Sequence, residues 1–143
     1  MTPDLRVGAV AKRSATITDE DIALYGQLTG DRNPIHHDDA FARRSRFGGR
    51  IAQGGLVTGV IEALVAADLP GPGSVLVESR LRYLAPVRPG DTITGEVEVI
   101  AIRDDKPLVR LAVRVRGPDG TKVIEGEATV LLERPSPETA EAR

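Results

Sequence analysis

An acidic side chain and an imidazole stand close together in the segment that follows Gly30. The segment reads Gly-Asp-Arg-Asn-Pro-Ile-His, so that Asp31 and His36 lie on either side of Pro34, whose ring restricts the backbone between them. A carboxylate and an imidazole can together hold and activate a water molecule, because each can accept one of its protons. These residues alone leave a second interpretation equally open, in which Asp31 caps a turn and His36 takes no part in chemistry.

Two helices are predicted to flank this segment and to position it. The first begins at Asp19, after the spacing of a capping box, and Gly30 is its expected stop. The second begins at Gly54-Gly55 and runs to about Asp68, with apolar residues on nearly every side, which predicts a buried helix. Glu62 interrupts this helix. Because burying its charge would be costly, we expect a neutral or hydrogen-bonded carboxyl group with a structural role.

Alternating apolar residues predict strands in the rest of the chain. A loose first strand covers residues 5–16, and four strands joined by short turns cover residues 74–86, 91–103, 108–116 and 121–132. In the first of these four, the residues expected to share one face are Val75, Val77, Leu81 and Tyr83. Short connections imply an antiparallel sheet, and the second helix has only that sheet to pack against. We therefore predict one α+β domain over residues 1–133, a hotdog fold in which a curved antiparallel sheet wraps around a central buried helix. Residues 134–143 are expected to form a disordered tail.

Composition narrows the class of protein. With a net charge of −2 and 3% aromatic residues, the chain of 143 residues lacks the basic excess and the stacking side chains of a nucleic-acid-binding protein. The absence of cysteine excludes disulfides, thiolate metal sites and cysteine nucleophiles. No apolar run is long enough to span a bilayer, and the first residues lack the pattern of a secretory signal. A cytoplasmic location without membrane contact is therefore expected.

The run from His36 to Asp39 contains possible metal ligands, His-His-Asp-Asp. Neighbours in an extended chain point in opposite directions, so few of these groups can converge on one ion. We expect no metal site and no other cofactor, and we expect His37 to be a surface residue.

The segment from Gly30 to His36, followed by Asp38 and Phe41, resembles the hydratase motif of the MaoC-like (R)-specific enoyl-CoA hydratases. The resemblance continues through Ile-Ala-Gln-Gly-Gly at residues 51–55 and covers the chain from about Thr18 to Leu132. It implies that Asp31 and His36 hold the water that attacks a trans-2-enoyl-CoA, and that the product is the (3R)-3-hydroxyacyl-CoA. Which of the two residues takes the proton and which returns it is left open.

The resemblance also assigns Gly54, Gly55 and Asn33 to substrate binding. The first backbone N–H groups of the second helix are unpaired and can stabilise negative charge on the thioester oxygen, and two glycines leave room for the thioester to reach them. An alternative is that the glycines only tighten the turn.

Many relatives have His-Gly-Met where this chain has Gln-Gly-Gly, so the missing bulk at Gly55 is expected to alter the acyl channel. We expect Gly55→Met to leave the fold intact and to shift the preference for acyl chain length. Relatives also carry serine at the apparent position of Glu62.

Four arginines surround the expected site and could meet the phosphates of coenzyme A, although ordinary solvated charge would also explain most of them. They are Arg43, Arg44, Arg46 and Arg50.

Three functions remain possible, and in each of them the protein acts on or binds an acyl thioester. The first is the enoyl-CoA hydratase. The second is the reverse chemistry as a (3R)-hydroxyacyl-carrier-protein dehydratase, and the third is a hotdog acyl thioesterase or a non-catalytic acyl binder. A homodimer is expected in each case, because pairing two exposed sheet edges removes a liability, and the resemblance places the sites at that interface.

Overall fold

The computed structural model describes residues 4–135. Its elements follow one another in the order β1 (Val10–Thr16), α1 (Asp19–Thr29), α2 (Pro34–His37), α3 (Asp39–Arg43), α4 (Gly54–Ala67), β2 (Ser74–Tyr83), β3 (Thr92–Ile102), β4 (Leu108–Arg116) and β5 (Lys122–Leu132). The five strands form one antiparallel sheet in the order β1-β3-β4-β5-β2.

Helix α4 packs against this sheet and forms the centre of the core. The residues of its buried face are Val57, Val60, Ile61, Leu64 and Val65. Gly95 of β3 allows a close approach of the helix to the sheet, because a Cβ at this position would lie 2.9 Å from Val60 Cγ1. The alternating residues of β4 face the same core, as predicted. A sheet wrapped around one helix is the predicted hotdog fold, which is confirmed.

The opposite side of α4 is open. Glu62 and Ala66 are exposed, and a Cβ added at Gly59 would meet no atom within 4 Å. The expected burial therefore holds for one side of the helix only. Because the Glu62 carboxylate is exposed to solvent, it needs no compensating partner, and the reasoning that treated it as a buried group was wrong.

A bulge in β2 changes which residues of this edge strand face the core. The pairing with β5 shifts between Leu76 and Glu78, so that Leu76 and Leu81 both pack against the core despite their different parity. Val75 and Val77 are instead about half exposed, at 49% and 53%. The prediction that Val75 and Val77 share a face with Leu81 is therefore wrong. The extra residue at the bulge reverses the alternation of inward and outward side chains.

The sequence predicted the bounds of the first helix correctly, but it predicted the two ends of the domain less well. The capping box at Thr18 and Asp21 is present, and Gly30 ends α1 in the left-handed conformation at φ 82°. The first strand begins only at Val10. Arg134, in the predicted tail, donates a hydrogen bond to the Pro70 carbonyl at 2.8 Å, whereas residues 136–143 of that tail lie outside the described residues.

Candidate active site

Asp31 is held by the backbone geometry at the end of α1. Its N–H donates to Thr29 Oγ1 at 3.2 Å, and its Oδ1 accepts a hydrogen bond from the Asn33 N–H at 3.2 Å. The second carboxylate oxygen, Oδ2, faces His36. Asp31 therefore does cap a turn, but with one oxygen only, so that the structural role and a chemical role are compatible.

His36 is carried by α2, a four-residue helix that the irregular pattern of this segment did not predict. Pro34 occupies the first turn, and the Asn33 side chain accepts a hydrogen bond from the Ile35 N–H. The His36 side chain is buried, with 8% of the residue exposed. Its Nδ1 lies 2.8 Å from the Ile51 carbonyl oxygen, and its Nε2 lies 3.7 Å from Asp31 Oδ2.

The Ile51 contact defines the tautomer of the neutral ring. A carbonyl oxygen only accepts, so Nδ1 carries the hydrogen and donates a hydrogen bond to Ile51. The Nε2 lone pair then faces the Asp31 carboxylate. Two acceptors 3.7 Å apart cannot bond to each other directly, but they can share one molecule that donates to both.

A largely apolar cavity of about 410 Å³ opens beside this pair. His36 and Gly54 both line it. The other lining residues come from the segment before α4, from α4 itself, from the end of β2 and the segment after it, and from the start of β5: Phe47, Ile51, Ala52, Val57, Tyr83, Leu84, Ala85, Pro86, Val87, Val123 and Ile124. The predicted catalytic imidazole and the start of α4 thus face one space. Asp31, Asn33 and Gly55 are not among the lining residues.

The start of α4 is uncapped by side chains and is enclosed by two tyrosines. Gln53 makes no capping hydrogen bond, and within residues 4–135 no group accepts from the N–H of Gly54 or Gly55. A Cβ at Gly54 would lie 2.9 Å from Tyr83 Cε1, and the Tyr25 hydroxyl occupies the position of a Cβ at Gly55. Both glycines therefore make room for protein side chains. A methionine at residue 55 would require the Tyr25 side chain to move, and the expectation that Gly55→Met leaves the fold intact stays a prediction.

Arg50 organises the segment around His36 and does not face solvent freely. It donates to Asp39 at 2.8 Å, to Asp19 at 2.7 Å and to the His36 carbonyl at 3.3 Å. The hydrogen bonds with Asp39 and Asp19 raise the pKa of Arg50 above its ordinary value. Stability that depends on a cation with a raised pKa is present below its ordinary pKa and is lost only as the pH rises beyond the folded value. Arg50 is therefore charged throughout the neutral pH range, and its guanidinium group has a structural role.

The other three arginines of this region are exposed. Arg43 ends α3, and Arg44 and Arg46 follow it immediately before Phe47, which lines the cavity. Within residues 4–135, none of these three forms an ion pair. They remain candidates for contact with an anionic group near the cavity.

Several residues of the site were not identified from the sequence. Tyr83, Leu84 and Phe47 line the cavity, and Ile51 fixes the His36 ring through its backbone carbonyl. Any residue can supply a carbonyl, so no sequence signal marked Ile51. The aromatic residues could have been suspected only from their rarity in this chain.

A larger groove of about 890 Å³ lies on the outer face of β2, β4 and β5. Its walls carry ion pairs, such as Arg110–Glu127 between β4 and β5 at 2.6 Å and Lys122–Glu125 within β5 at 3.2 Å. These are the solvated side chains of a sheet face, and neither Asp31 nor His36 reaches the groove. The smaller cavity is therefore the candidate site.

Two further observations concern the described part of the chain. Between residues 4 and 135, no three His, Asp or Glu side chains come together in a group that could hold a metal ion. No helix in this range is long and apolar enough to cross a membrane.

The fold and the site define a hotdog protein with an acid–imidazole pair beside an apolar cavity. Residues 6–117 match the model of the MaoC like domain. The chain belongs to this family, whose hotdog hydratases and dehydratases include the relatives described next.

Three relatives illustrate the range of the family. The chain is 40% identical to an (R)-specific enoyl-CoA hydratase of Rhodospirillum rubrum, over 90% of this chain and 89% of that protein. It is 35% identical to a mitochondrial 3-hydroxyacyl-[acyl-carrier-protein] dehydratase of Solanum lycopersicum, over 90% and 78% of the two chains. The solved (R)-hydratase of A. caviae superimposes with a TM-score of 0.86 at 38% identity, covering 90% of this chain and 97% of that one. The chain is thus a hydratase or dehydratase of the MaoC-like family.

Proposed function

We propose that the protein hydrates a trans-2-enoyl-CoA to the (3R)-3-hydroxyacyl-CoA, with Asp31 and His36 holding the attacking water. The observation that carries this proposal is the pair of facing acceptors, Asp31 Oδ2 and His36 Nε2, 3.7 Å apart beside a cavity of largely apolar lining. The (R)-specific hydratases among the relatives support the choice of substrate and stereochemistry.

The geometry explains why water would be both bound and activated. A water molecule that bridges the two acceptors donates one hydrogen bond to each of them, which directs its oxygen lone pairs away from both residues. In the neutral ring, the hydrogen bond from His36 Nδ1 to the Ile51 carbonyl leaves Nε2 as an acceptor. The water oxygen is then the nucleophile available to a substrate in the cavity.

The reaction balances with these two residues and one water. The water oxygen forms a bond to the β-carbon of the enoyl thioester while one of its protons passes to the pair. The electrons of the carbon–carbon double bond move toward the α-carbon and the thioester oxygen. A proton returned by the pair to the α-carbon completes the hydroxyacyl thioester, and the enzyme groups end as they began.

The start of α4 is suited to stabilise the charge that develops on the thioester oxygen. The N–H groups of Gly54 and Gly55 have no other acceptor within residues 4–135, and the positive end of the helix dipole lies there. Gly54 lines the same cavity as His36. Donors placed in advance where charge develops lower the barrier without reorganisation.

The assay that tests the proposal follows crotonyl-CoA with the purified protein. Hydration removes the conjugation between the double bond and the thioester, so absorbance at the enoyl thioester band should fall while the thioester remains intact. Chiral analysis of the product should show the (3R) alcohol. Release of free coenzyme A would instead indicate a thioesterase, and the absence of any turnover with short and medium enoyl-CoA substrates would contradict the proposal.

A carrier-protein dehydratase is the second candidate, favoured by the similarity to the plant mitochondrial enzyme. The chemistry at Asp31 and His36 would be the same in reverse. The two functions differ in the group that carries the thioester. A ratio of kcat/KM for crotonyl-CoA to crotonyl-carrier protein far below one would favour this second function.

We also propose that the working form is a homodimer joined through β2. This strand is an edge of the sheet, and Val75 and Val77 on it are about half exposed. Tyr83 at its end and the adjoining Leu84 line the cavity while remaining 59% and 45% exposed. A second copy placed on this edge would cover apolar surface and help to close the site.

A further inference from the structure

We propose that His37 is a positioning residue for the catalytic pair, acting on Asp31 through its backbone carbonyl and seated on Gly26 of α1. The inference rests on the proposed function, since it assigns Asp31 a part in the chemistry. His37 is exposed, as the sequence suggested, and the inference adds a function to this surface residue.

The contact between His37 and Asp31 is a direct hydrogen bond. His37 Nε2 lies 3.1 Å from the Asp31 carbonyl oxygen, and because that oxygen only accepts, Nε2 must carry a proton. His36 donates through Nδ1 to Ile51. The two adjacent histidines thus use opposite ring nitrogens as donors, and their ring planes are nearly perpendicular at 84°.

Gly26 provides the space in which the His37 ring lies. A Cβ at this position would be 2.9 Å from His37 Cε1, 3.0 Å from His37 Nε2 and 3.1 Å from the Asp31 carbonyl oxygen. Glycine in the interior of a helix normally costs stability relative to alanine, and Gly26 is buried within α1. The packing of His37 gives a physical reason for a glycine at this point.

This contact supplements the other restraints on Asp31. The Asp31 N–H is bound to Thr29 and the carboxylate is bound to the Asn33 N–H, and both partners are neighbours in the same turn. His37 adds a direct tie between Asp31 and α2, the helix that carries His36, beside the Asn33 side chain that caps this helix. It therefore helps to set the distance between the two members of the pair, and small displacements of a catalytic group can lower the rate about 100-fold.

The test compares His37→Ala, His37→Gln and Gly26→Ala in the full-length protein, with crotonyl-CoA as substrate. His37→Ala should lower kcat by roughly 10- to 100-fold with little change in KM, because the substrate contacts lie elsewhere. Glutamine carries an N–H donor at a similar reach, so His37→Gln should recover much of the rate. Gly26→Ala should lower kcat in the same way, because its Cβ would crowd the His37 ring and the Asp31 carbonyl oxygen. Its Tm is measured alongside to show that the variant is folded. Gln27→Ala, at an exposed neighbour on α1, is the matched control and should behave as wild type.

The outcomes separate this inference from the proposed function. If Asp31→Asn abolishes turnover while folded His37→Ala retains the wild-type kcat, the positioning role is wrong and the function stands. If the wild type shows no turnover with any enoyl thioester, the proposed function fails. The hydrogen bond is then tested by the imidazole ¹⁵N spectrum, which contains only two histidines. A neutral His37 protonated at Nδ1 would overturn the inference, whereas protonation at Nε2 supports it.

Discussion

At the scale of single residues, the direction of each hydrogen bond around His36 decides what the site can do. The Ile51 carbonyl accepts a hydrogen bond from Nδ1 of the neutral ring, which leaves Nε2 as an acceptor opposite Asp31 Oδ2. Asp31 divides its two carboxylate oxygens between the Asn33 N–H and the imidazole. Asn33, which the resemblance assigned to substrate binding, uses its side-chain oxygen to cap α2, and its contact with substrate stays a prediction.

Substitutions of the pair should lower the rate without altering binding. Asp31→Asn removes the charge and basicity at constant size, and His36→Gln removes the imidazole. Each should reduce kcat by roughly 10²–10⁴-fold, the range typical of positioned acid–base groups, with a smaller change in KM. The double variant should be barely worse than either single one, because groups that act on one water are not additive. A folded variant that hydrates crotonyl-CoA near the wild-type rate would remove that residue from the mechanism.

Substitution of Arg46 tests whether the exposed arginines near the cavity contact coenzyme A. It precedes Phe47, which lines the cavity, and it is exposed. Arg46→Gln should raise KM for crotonyl-CoA several-fold, because an ion pair with phosphate at an exposed position contributes about 1 kcal/mol at most. KM for crotonyl-N-acetylcysteamine, which has no phosphate, should not change. Equal effects on both substrates, or none on either, would argue against a phosphate contact. Arg13→Gln on β1 is an exposed control far from the cavity in the sheet.

At the scale of elements, the beginning of α4 is shaped by side chains from α1 and β2. Tyr25 of α1 fills the space beside Gly55, and Tyr83 of β2 lies over Gly54. Gln53, only 1% exposed, donates from Nε2 to the Ile22 carbonyl at 2.9 Å and so ties α1 to the start of α4. Any change at residue 55 is therefore felt first by α1.

The pairing of Tyr25 with Gly55 predicts a specific pattern of compensation. Gly55→Met alone should lower the free energy of unfolding by about 1–3 kcal/mol, the usual cost of overpacking, because the Tyr25 ring must leave its site. Tyr25→Ala combined with Gly55→Met should regain much of that loss, since the methionine then fills the vacated space. Denaturant unfolding of the four proteins in the cycle measures the coupling directly. Additive free energies would show that the two side chains do not compete for one space.

At the scale of the whole molecule, the two edges of the sheet differ in what they border. Strand β2 leads through Tyr83 into the cavity, whereas β1 lies at the opposite edge. Both edges expose a valine, Val75 on β2 at 49% and Val10 on β1 at 42%. The proximity of β2 to the site makes it the edge at which an interface would also serve catalysis.

A charge placed on each edge in turn tests the proposed dimer. Val75→Lys should shift the protein from dimer to monomer in light scattering and should lower activity, because a lysine on a buried edge is poorly tolerated. Val10→Lys is the matched control and should leave both properties unchanged. A wild type that is monomeric at micromolar concentration with full activity would contradict the dimer.

The amino-acid sequence determined those features that depend on neighbours along the chain. The capping box at Thr18 and Asp21, the stop at Gly30 and the alternation of β4 are each complete within a few residues, so local hydrogen bonding and periodicity are enough to predict them. The closeness of Asp31 and His36 follows for the same reason, since one short turn joins them. Even the fold could be inferred, because four consecutive strands and one apolar helix have few ways to bury their surface.

Only the tertiary structure decided which residues from distant parts of the chain contact these locally determined elements. The Ile51 carbonyl at His36, Tyr25 over Gly55 and the exposed face of α4 at Glu62 all depend on contacts or gaps between segments far apart in the chain. The bulge near Val77 depends on pairing with β5 and reverses the faces that alternation predicted. Such features arise from the register of strands and from the packing of side chains across the core, where the position of each residue is set by all of its neighbours in space.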